Sequence, residues 1–141
     1  MLDRDRVLVK LDTLDGYLRE LRQVLPATFA EYLASIEKRR ACERLLQISI
    51  ECVLDICGLL VTGLRLGLPS EEDDLLEKLQ HAQVLSPETV SLVKTMKGFR
   101  NVPVHEYGGI DNAIVFKAAT ARIADFVAVR QELLQVLRTH A

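Results

Sequence analysis

The residues of this chain that could carry out chemistry lie together in one short segment, residues 100–107. The segment holds Arg100, Asn101, His105 and Tyr107. Imidazole can take and give a proton near neutral pH, and guanidinium is a permanent cation that can hold a phosphate oxygen. Such a pair could cleave RNA without a metal: His105 would act on the ribose 2′-hydroxyl or the leaving oxygen, and Arg100 would offset charge developing at phosphorus. The simpler alternative is that His105 is an interface or capping residue.

Helix geometry limits how this pair could act together. On an ideal helix Arg100 and His105 point about 140° apart, whereas Arg100, Val104 and Tyr107 share a face. Pro103 lies between the two and would bend or end a helix. We therefore expect either a kink at Pro103 or a second copy of the chain to bring the two groups into one site.

Two local basic strips are candidates for contact with phosphate. The chain as a whole is weakly acidic, with a formal net charge of −2 and a pI near 5.9, so any attraction for nucleic acid must be local. The strips consist of Lys94, Lys97 and Arg100, and of Lys38, Arg39, Arg40 and Arg44. Such strips are also common as solvated helix faces. Glu51 and Asp55, one helical turn apart, are interpreted as salt-bridged or hydrated rather than as an acid pair.

The remaining reactive residues match no known site pattern. Cys42, Cys52 and Cys57 have spacings of ten and five, which fit no zinc or redox signature, so we expect reduced, buried thiols. His81 is expected in a polar loop, and His140 lies near the terminus. No P-loop, dinucleotide-binding turn, metal-ligand cluster or Ser/His/Asp set is recognisable, so we expect no cofactor and no metal.

Six helical segments are predicted from apolar residues that recur at spacings of three and four and from the capping residues between them. The expected start and stop signals are Pro26, Thr28, Gly67, Ser70, Ser86, Gly108 and Asp111. The helices are expected over about 7–25, 28–36, 38–66, 71–80, 87–107 and 111–137. The fifth helix should thus contain the reactive segment, and no strand is expected.

These elements predict an all-α, up-and-down bundle of five to six helices that forms a single domain over residues 1–141. The last helix and the end of the central helix are apolar around much of their circumference. That is more apolar surface than a small monomer easily buries, so we expect a homodimer. No apolar run reaches the roughly 18–20 residues that span a bilayer, and the charged start is unlike a signal peptide, so a cytoplasmic protein without a membrane partner is expected.

The reactive segment, Gly98-Phe99-Arg100-Asn101-Val102-Pro103-Val104-His105-Glu106-Tyr107 followed by Ile110-Asp111, resembles the Arg-x4-His-x-Tyr signature of the HepT-like branch of the HEPN superfamily. The resemblance extends along the chain from about residue 4 to 137. It includes Glu43-Arg44-Leu45-Leu46-Gln47, Glu51-Cys52-Val53-Leu54-Asp55-Ile56, the Gly67-Leu68-Pro69 break and the short segment 75–84.

This resemblance implies a specific function. Proteins of this family are helical homodimers and toxins of bacterial type VII toxin–antitoxin systems, with a metal-independent ribonuclease centre that would map to Arg100 and His105, with Asn101 as polar neighbour. Their antitoxin is a minimal nucleotidyltransferase, MntA, which would transfer AMP from ATP to Tyr107 and with which larger hetero-oligomers could form. The alternative is a non-catalytic regulatory subunit that binds such a nucleotidyltransferase.

Overall fold

The structure is a computed structural model that describes residues 2–100, 104–105 and 109–140, with only the backbone described for residues 104 and 105. Within these residues the chain forms six helices: α1 (Arg4–Val24), α2 (Phe29–Ala34), α3 (Ile36–Gly63), α4 (Glu72–His81), α5 (Pro87–Lys97) and α6 (Asn112–Thr139). The expected all-α bundle is confirmed. The expected homodimer stays a prediction.

Short polar side chains begin most of the helices, as expected. The side chains of Thr28, Ser86 and Asp111 each accept a hydrogen bond from the backbone N–H three residues on, at the starts of α2, α5 and α6. Each bond satisfies a donor that has no partner within the helix. Ser70 was expected to cap α4 in the same way, but the N-cap is Glu71, and the carboxylate of Asp74 accepts a bond of 2.9 Å from the backbone N–H of Ser70 instead.

The central helix α3 packs against all five other helices. It is about 42 Å long at the standard rise, and its buried residues form the middle of the core. Although no uninterrupted apolar run of spanning length exists in the sequence, α3 is long and apolar enough overall to cross a membrane, and 56% of its most apolar stretch is buried within the bundle. A core helix of a helical bundle has the same properties.

The helix ends were harder to predict than the starts. Helix α3 ends at Gly63, before the expected position near 66, because Arg65 turns the chain with a φ of 56°. The N–H of Leu66 then bonds to the carbonyl of Val61 at 3.0 Å, and that of Arg65 to the carbonyl of Thr62 at 3.2 Å. These two bonds form a Schellman motif, which satisfies carbonyls at the helix end.

Two expectations about the reactive segment were wrong. Helix α5 ends at Lys97 instead of running through residues 100–107, because the N–H groups of residues 98, 99 and 100 bond to carbonyls three residues back and tighten the last turn. The chain also contains strands: β1 (Val104–His105) pairs antiparallel with β2 (Gly109–Ile110), His105 opposite Gly109. This short hairpin leads directly into Asp111 at the start of α6.

Candidate functional site

Arg100 lies in a tight turn that follows α5. The backbone N–H of Phe99 bonds to the carbonyl of Met96 at 2.8 Å, and that of Arg100 to the carbonyl of Lys97 at 3.2 Å. The half-buried ring of Phe99 packs against the core, and the guanidinium of Arg122 from α6 lies 5.6 Å from the centre of that ring. A cation over an aromatic face is attracted to it, so α6 helps to hold the turn from which Arg100 projects.

The guanidinium of Arg100 is bound by a carboxylate of the same chain. Its Nη1 donates a hydrogen bond to Oε2 of Glu72, the first residue of α4. The Arg100 side chain is 28% exposed and that of Glu72 is 39% exposed, so the pair lies at the surface rather than in the core. The hydrogen bond to Glu72 raises the pKa of Arg100, and the nearby charge of Glu51 acts in the same direction. Arg100 is therefore a permanent cation.

The basic strip that includes Arg100 is matched by acids of α4. Lys97 forms an ion pair of 2.8 Å with Asp73, and Lys94 one of 3.7 Å with Glu77. In these pairs the residue number of the acid rises from 72 to 77 while that of its basic partner falls from 100 to 94. Helices α4 and α5 therefore pack antiparallel. We call these three pairs the α4–α5 ladder. The predicted strip is present, but it is not the open positive surface expected from the sequence, since each of its cations has an acidic partner.

The second basic strip is also partly engaged within the chain. Arg40 forms an ion pair of 2.7 Å with the buried carboxylate of Glu43, and Arg44 donates a hydrogen bond of 3.0 Å to Gln47. The guanidinium of Arg39 donates to the carbonyl of Leu33. These contacts hold the side chains along the first turns of α3.

The two central-helix acids, Glu51 and Asp55, line a groove between α1 and α3. Asp55 forms an ion pair of 3.3 Å with Lys10 of α1. Glu51 is half-buried and lies in the same polar groove as Lys10 and Arg44. The interpretation of Asp55 as a salt-bridged carboxylate is confirmed.

Of the other predicted site residues, only His105 is described, and only by its backbone. The backbone of His105 is in β1, so Arg100 and His105 occupy consecutive segments between α5 and α6 rather than one helix. The 140° separation that an ideal helix would impose therefore does not apply. Asn101, Pro103 and Tyr107 lie outside the described residues. Whether a second subunit completes the site stays a prediction.

The remaining reactive side chains are placed away from this segment. His81 is the last residue of α4, not part of a loop, and His140 caps α6; both are exposed. The three cysteines are free and buried as expected, and burial raises the pKa of Cys42 and of Cys52 to about 11 and that of Cys57 to about 12. Among the described residues, no three histidine, cysteine or acidic side chains gather where they could hold a metal ion.

Sequence reasoning missed Glu72. Residues 71–74 are all acids, and the positive end of the helix that starts there is enough to account for them from the sequence alone. The contact could have been predicted from the order of charges in two helical segments joined by a short loop. The acids are at 72, 73 and 77, and the bases are at 94, 97 and 100. Antiparallel packing places these two sets opposite each other.

An apolar depression follows the first half of α6 beside the Arg100 turn. Two adjoining clefts, of about 220 and 350 Å³, share Lys117 and Ala121. The smaller cleft is bordered by Phe99, whose chain neighbour is Arg100, and the larger by Phe29 of α2.

Comparisons with known proteins agree on one family. The family described as "Ribonuclease HepT-like" matches residues 14–133, which include the whole 100–107 segment. The tRNA nuclease HepT of Aphanizomenon flos-aquae (strain 2012/KM1/D3) is 30% identical over 123 residues, which are 86% of this chain and 84% of that protein.

Solved structures share the fold at lower identity. A toxin–antitoxin complex with AMP-PNP has a TM-score of 0.81 at 20% identity and covers 93% of this chain and 98% of its own. The tri-AMPylated HEPN toxin of Shewanella oneidensis in complex with its MNT antitoxin has a TM-score of 0.80 at 21% identity, with coverages of 96% and 99%. YutE of Bacillus subtilis, a cytosolic protein of unknown function, has a TM-score of 0.80 at 19% identity, with coverages of 99% and 93%. The family match and the curated relative show that this chain belongs to the HepT-like ribonuclease family, and the solved structures share its fold.

Proposed function

We propose that this protein is the toxin of a bacterial type VII toxin–antitoxin system and acts as a metal-independent endoribonuclease. The observation that carries the proposal is the family match over residues 14–133, a range that includes the 100–107 segment. The relative at 30% identity is a tRNA nuclease, so tRNA is the first substrate to test.

The proposed reaction uses two groups of the segment. His105 moves a proton at the ribose 2′-hydroxyl or at the leaving oxygen, and Arg100 offsets the negative charge that develops at phosphorus. Asn101 supports the pair as a polar neighbour. The permanent charge of Arg100 and its fixed position after α5 suit this role, because a charge-stabilising group is most effective when it is already in place.

The proposed inhibition uses Tyr107. A relative of the same fold is a tri-AMPylated toxin in complex with its antitoxin. We propose that an MntA-like nucleotidyltransferase partner transfers AMP from ATP to the Tyr107 hydroxyl of this chain. A phosphodiester so close along the chain to Arg100 would add negative charge and bulk that compete with RNA for the cation.

We further propose that the active form is a homodimer that uses the depression along α6. On this surface Ile114 is 42% exposed and Phe29 is 40% exposed. A contiguous exposed apolar patch marks an interface more often than a single exposed apolar side chain does. Sedimentation of the purified protein should give twice the mass of one chain, and Ile114→Glu should shift it toward the monomer.

Two measurements test the catalytic proposal. Expression in a bacterium should arrest growth, and purified protein treated with EDTA should cleave tRNA. Arg100→Ala and His105→Ala should each abolish both effects, whereas His81→Ala, which alters an exposed histidine at the far end of α4, should abolish neither. Cleavage that continues undiminished in His105→Ala would refute the catalytic assignment.

The second candidate function is a non-catalytic subunit that binds a nucleotidyltransferase. It is favoured by one observation, the engagement of the Arg100 guanidinium by Glu72 within the chain. In that case purified protein leaves RNA uncut, while incubation with the partner and ATP still adds the mass of AMP. Tyr107→Phe should prevent the addition and Tyr17→Phe should not. Equal modification of Tyr107→Phe would refute the tyrosine assignment under either function.

A further inference from the structure

The Glu72–Arg100 pair joins a rigid element to a turn. Glu72 is the first residue of α4, and this helix is anchored in the core by Leu75, Leu76 and Leu79. Arg100 instead follows the last turn of α5, where a long side chain has many conformations available. The backbone that carries the carboxylate is thus well fixed, and the pair restricts where the longer Arg100 side chain can lie.

We infer that Glu72 is a positioning residue for Arg100: its carboxylate holds the guanidinium at Nη1 and directs the other donors toward the scissile phosphate. The inference rests on the proposed ribonuclease function. A guanidinium has five N–H donors in a rigid plane, so one bond at Nη1 does not exhaust its capacity to bind phosphate oxygens. Holding such a group in the orientation needed at the transition state raises the rate of the chemical step.

Glu72 should also disfavour the binding of RNA, although it favours catalysis. Its negative charge, together with those of Asp73 and Glu77, repels the phosphates of an approaching RNA. Replacing Glu72 by glutamine should therefore weaken catalysis and, at the same time, leave substrate binding unchanged or improve it. A carboxylate that merely blocked the site would act differently, because its removal would raise both catalysis and binding.

The test compares Glu72→Gln with Glu77→Gln by steady-state cleavage of tRNA at low salt. Both changes remove one negative charge from the α4–α5 ladder, but only the first removes the partner of Arg100. We expect kcat of Glu72→Gln to fall by about ten- to a hundredfold, with KM unchanged or lower. Glu77→Gln should keep the kcat of the unaltered chain. Glu72→Asp, which retains a carboxylate, should recover part of the lost kcat.

A second measurement separates this inference from the proposed function. The guanidinium N–H resonances of Arg100, assigned by their loss in Arg100→Lys, should be sharp and dispersed in the unaltered protein and averaged in Glu72→Gln. If the unaltered protein cleaves tRNA and Glu72→Gln has the same or a higher kcat, the positioning role is refuted while the ribonuclease function stands. If the unaltered protein cleaves no RNA, the proposed function is refuted. If the Arg100 resonances are the same in Glu72→Gln as in the unaltered protein, Glu72 does not order the guanidinium, and the positioning role is refuted independently of cleavage.

Discussion

The carboxylate of Glu132 in α6 accepts two hydrogen bonds from Ser86 at the start of α5, one of 2.6 Å from the backbone N–H and one of 3.0 Å from the hydroxyl. The Thr89 hydroxyl donates to the same carboxylate. Ser86 is also the N-cap of α5, so a single acid of α6 fixes the cap and the first turn of the helix that precedes the Arg100 turn. The position of the candidate site is thereby tied to α6.

Replacing Glu132 by alanine should lower the free energy of unfolding by about 2 kcal/mol, because three donors lose a charged acceptor in a partly buried place. Urea denaturation followed by circular dichroism measures the change. Gln131→Ala, at the exposed neighbouring position of the same helix, should alter stability by no more than about 0.5 kcal/mol. Equal losses in the two variants would contradict the role assigned to Glu132.

The starts of the helices could be predicted from the sequence because a cap is a local arrangement. Thr28, Ser86 and Asp111 each bond to an N–H three residues away, and the residue types suffice to predict this. The ends could not be predicted as well. Gly67 was the expected stop signal for α3. Glycine is the usual residue in the left-handed turn after a helix, but this turn is made by Arg65, two residues earlier.

Arg65→Gly should stabilise the protein. Arg65 has a φ of 56°, and Gln83, in the equivalent position after α4, has a φ of 59°; side chains other than glycine are strained in this region. Glycine relieves this strain, which stabilises the folded state, but it also gives the unfolded chain more freedom, which offsets part of the gain. The net effect should be a free energy of unfolding higher by about 0.5–1 kcal/mol at either position. Thermal and urea denaturation measure the gain.

Arg65→Ala is the matched control. It removes the same exposed side chain but keeps a β-carbon in the left-handed region, so it should give none of the gain. If Arg65→Ala stabilises the protein as much as Arg65→Gly, the gain comes from loss of the arginine side chain, and the backbone explanation is wrong.

Acid should weaken the α4–α5 ladder through Asp73. The hydrogen bond from Lys97 lowers the pKa of Asp73 below its usual value. A carboxyl group whose pKa is lower in the folded state stabilises that state above the unfolded pKa of about 3.9, and this contribution disappears as the pH falls through the folded pKa. Asp73→Asn should therefore reduce stability at pH 7, and the difference from the unaltered protein should vanish at the acid end.

Urea midpoints measured between pH 7 and pH 2 test this dependence. Asp12→Asn, which removes an exposed carboxylate from α1, is the control and should follow the unaltered protein over the whole range. The prediction fails if Asp73→Asn is equally stable at pH 7, or if its deficit persists unchanged below the pKa of the folded carboxyl.

The candidate site was predictable in part. The residue types and spacing of Arg100 and His105 sufficed to select the segment, because the chemistry of guanidinium and imidazole does not depend on the fold. Glu72 was not predicted, because it meets Arg100 only through the packing of α4 on α5, 28 residues apart in the chain. The helical placement of the segment was wrong because the turn at residues 98–100 ends α5 before the apolar pattern does.

The three thiols should be unreactive in the folded protein. Burial raises the pKa of Cys42 and of Cys52 to about 11 and that of Cys57 to about 12, and the thiolate is the form that attacks a disulfide reagent. At pH 8 the thiolate fraction is therefore about a thousandth or less for each, and the reagent also lacks access to side chains that are at most 5% exposed.

In a titration with a chromogenic disulfide, the thiols of the folded protein should react no faster than the chain unfolds. In denaturant, three equivalents of thiol should react. Ser91→Cys, which places a thiol at an exposed position of α5, should add one rapid equivalent and shows that the reagent works under native conditions. A rapid equivalent from the unaltered chain would mean that a thiol becomes accessible without global unfolding. Cys52 would then be the first to examine, because its sulfur lies beside the polar groove between α1 and α3 and donates a hydrogen bond to the carbonyl of Lys10.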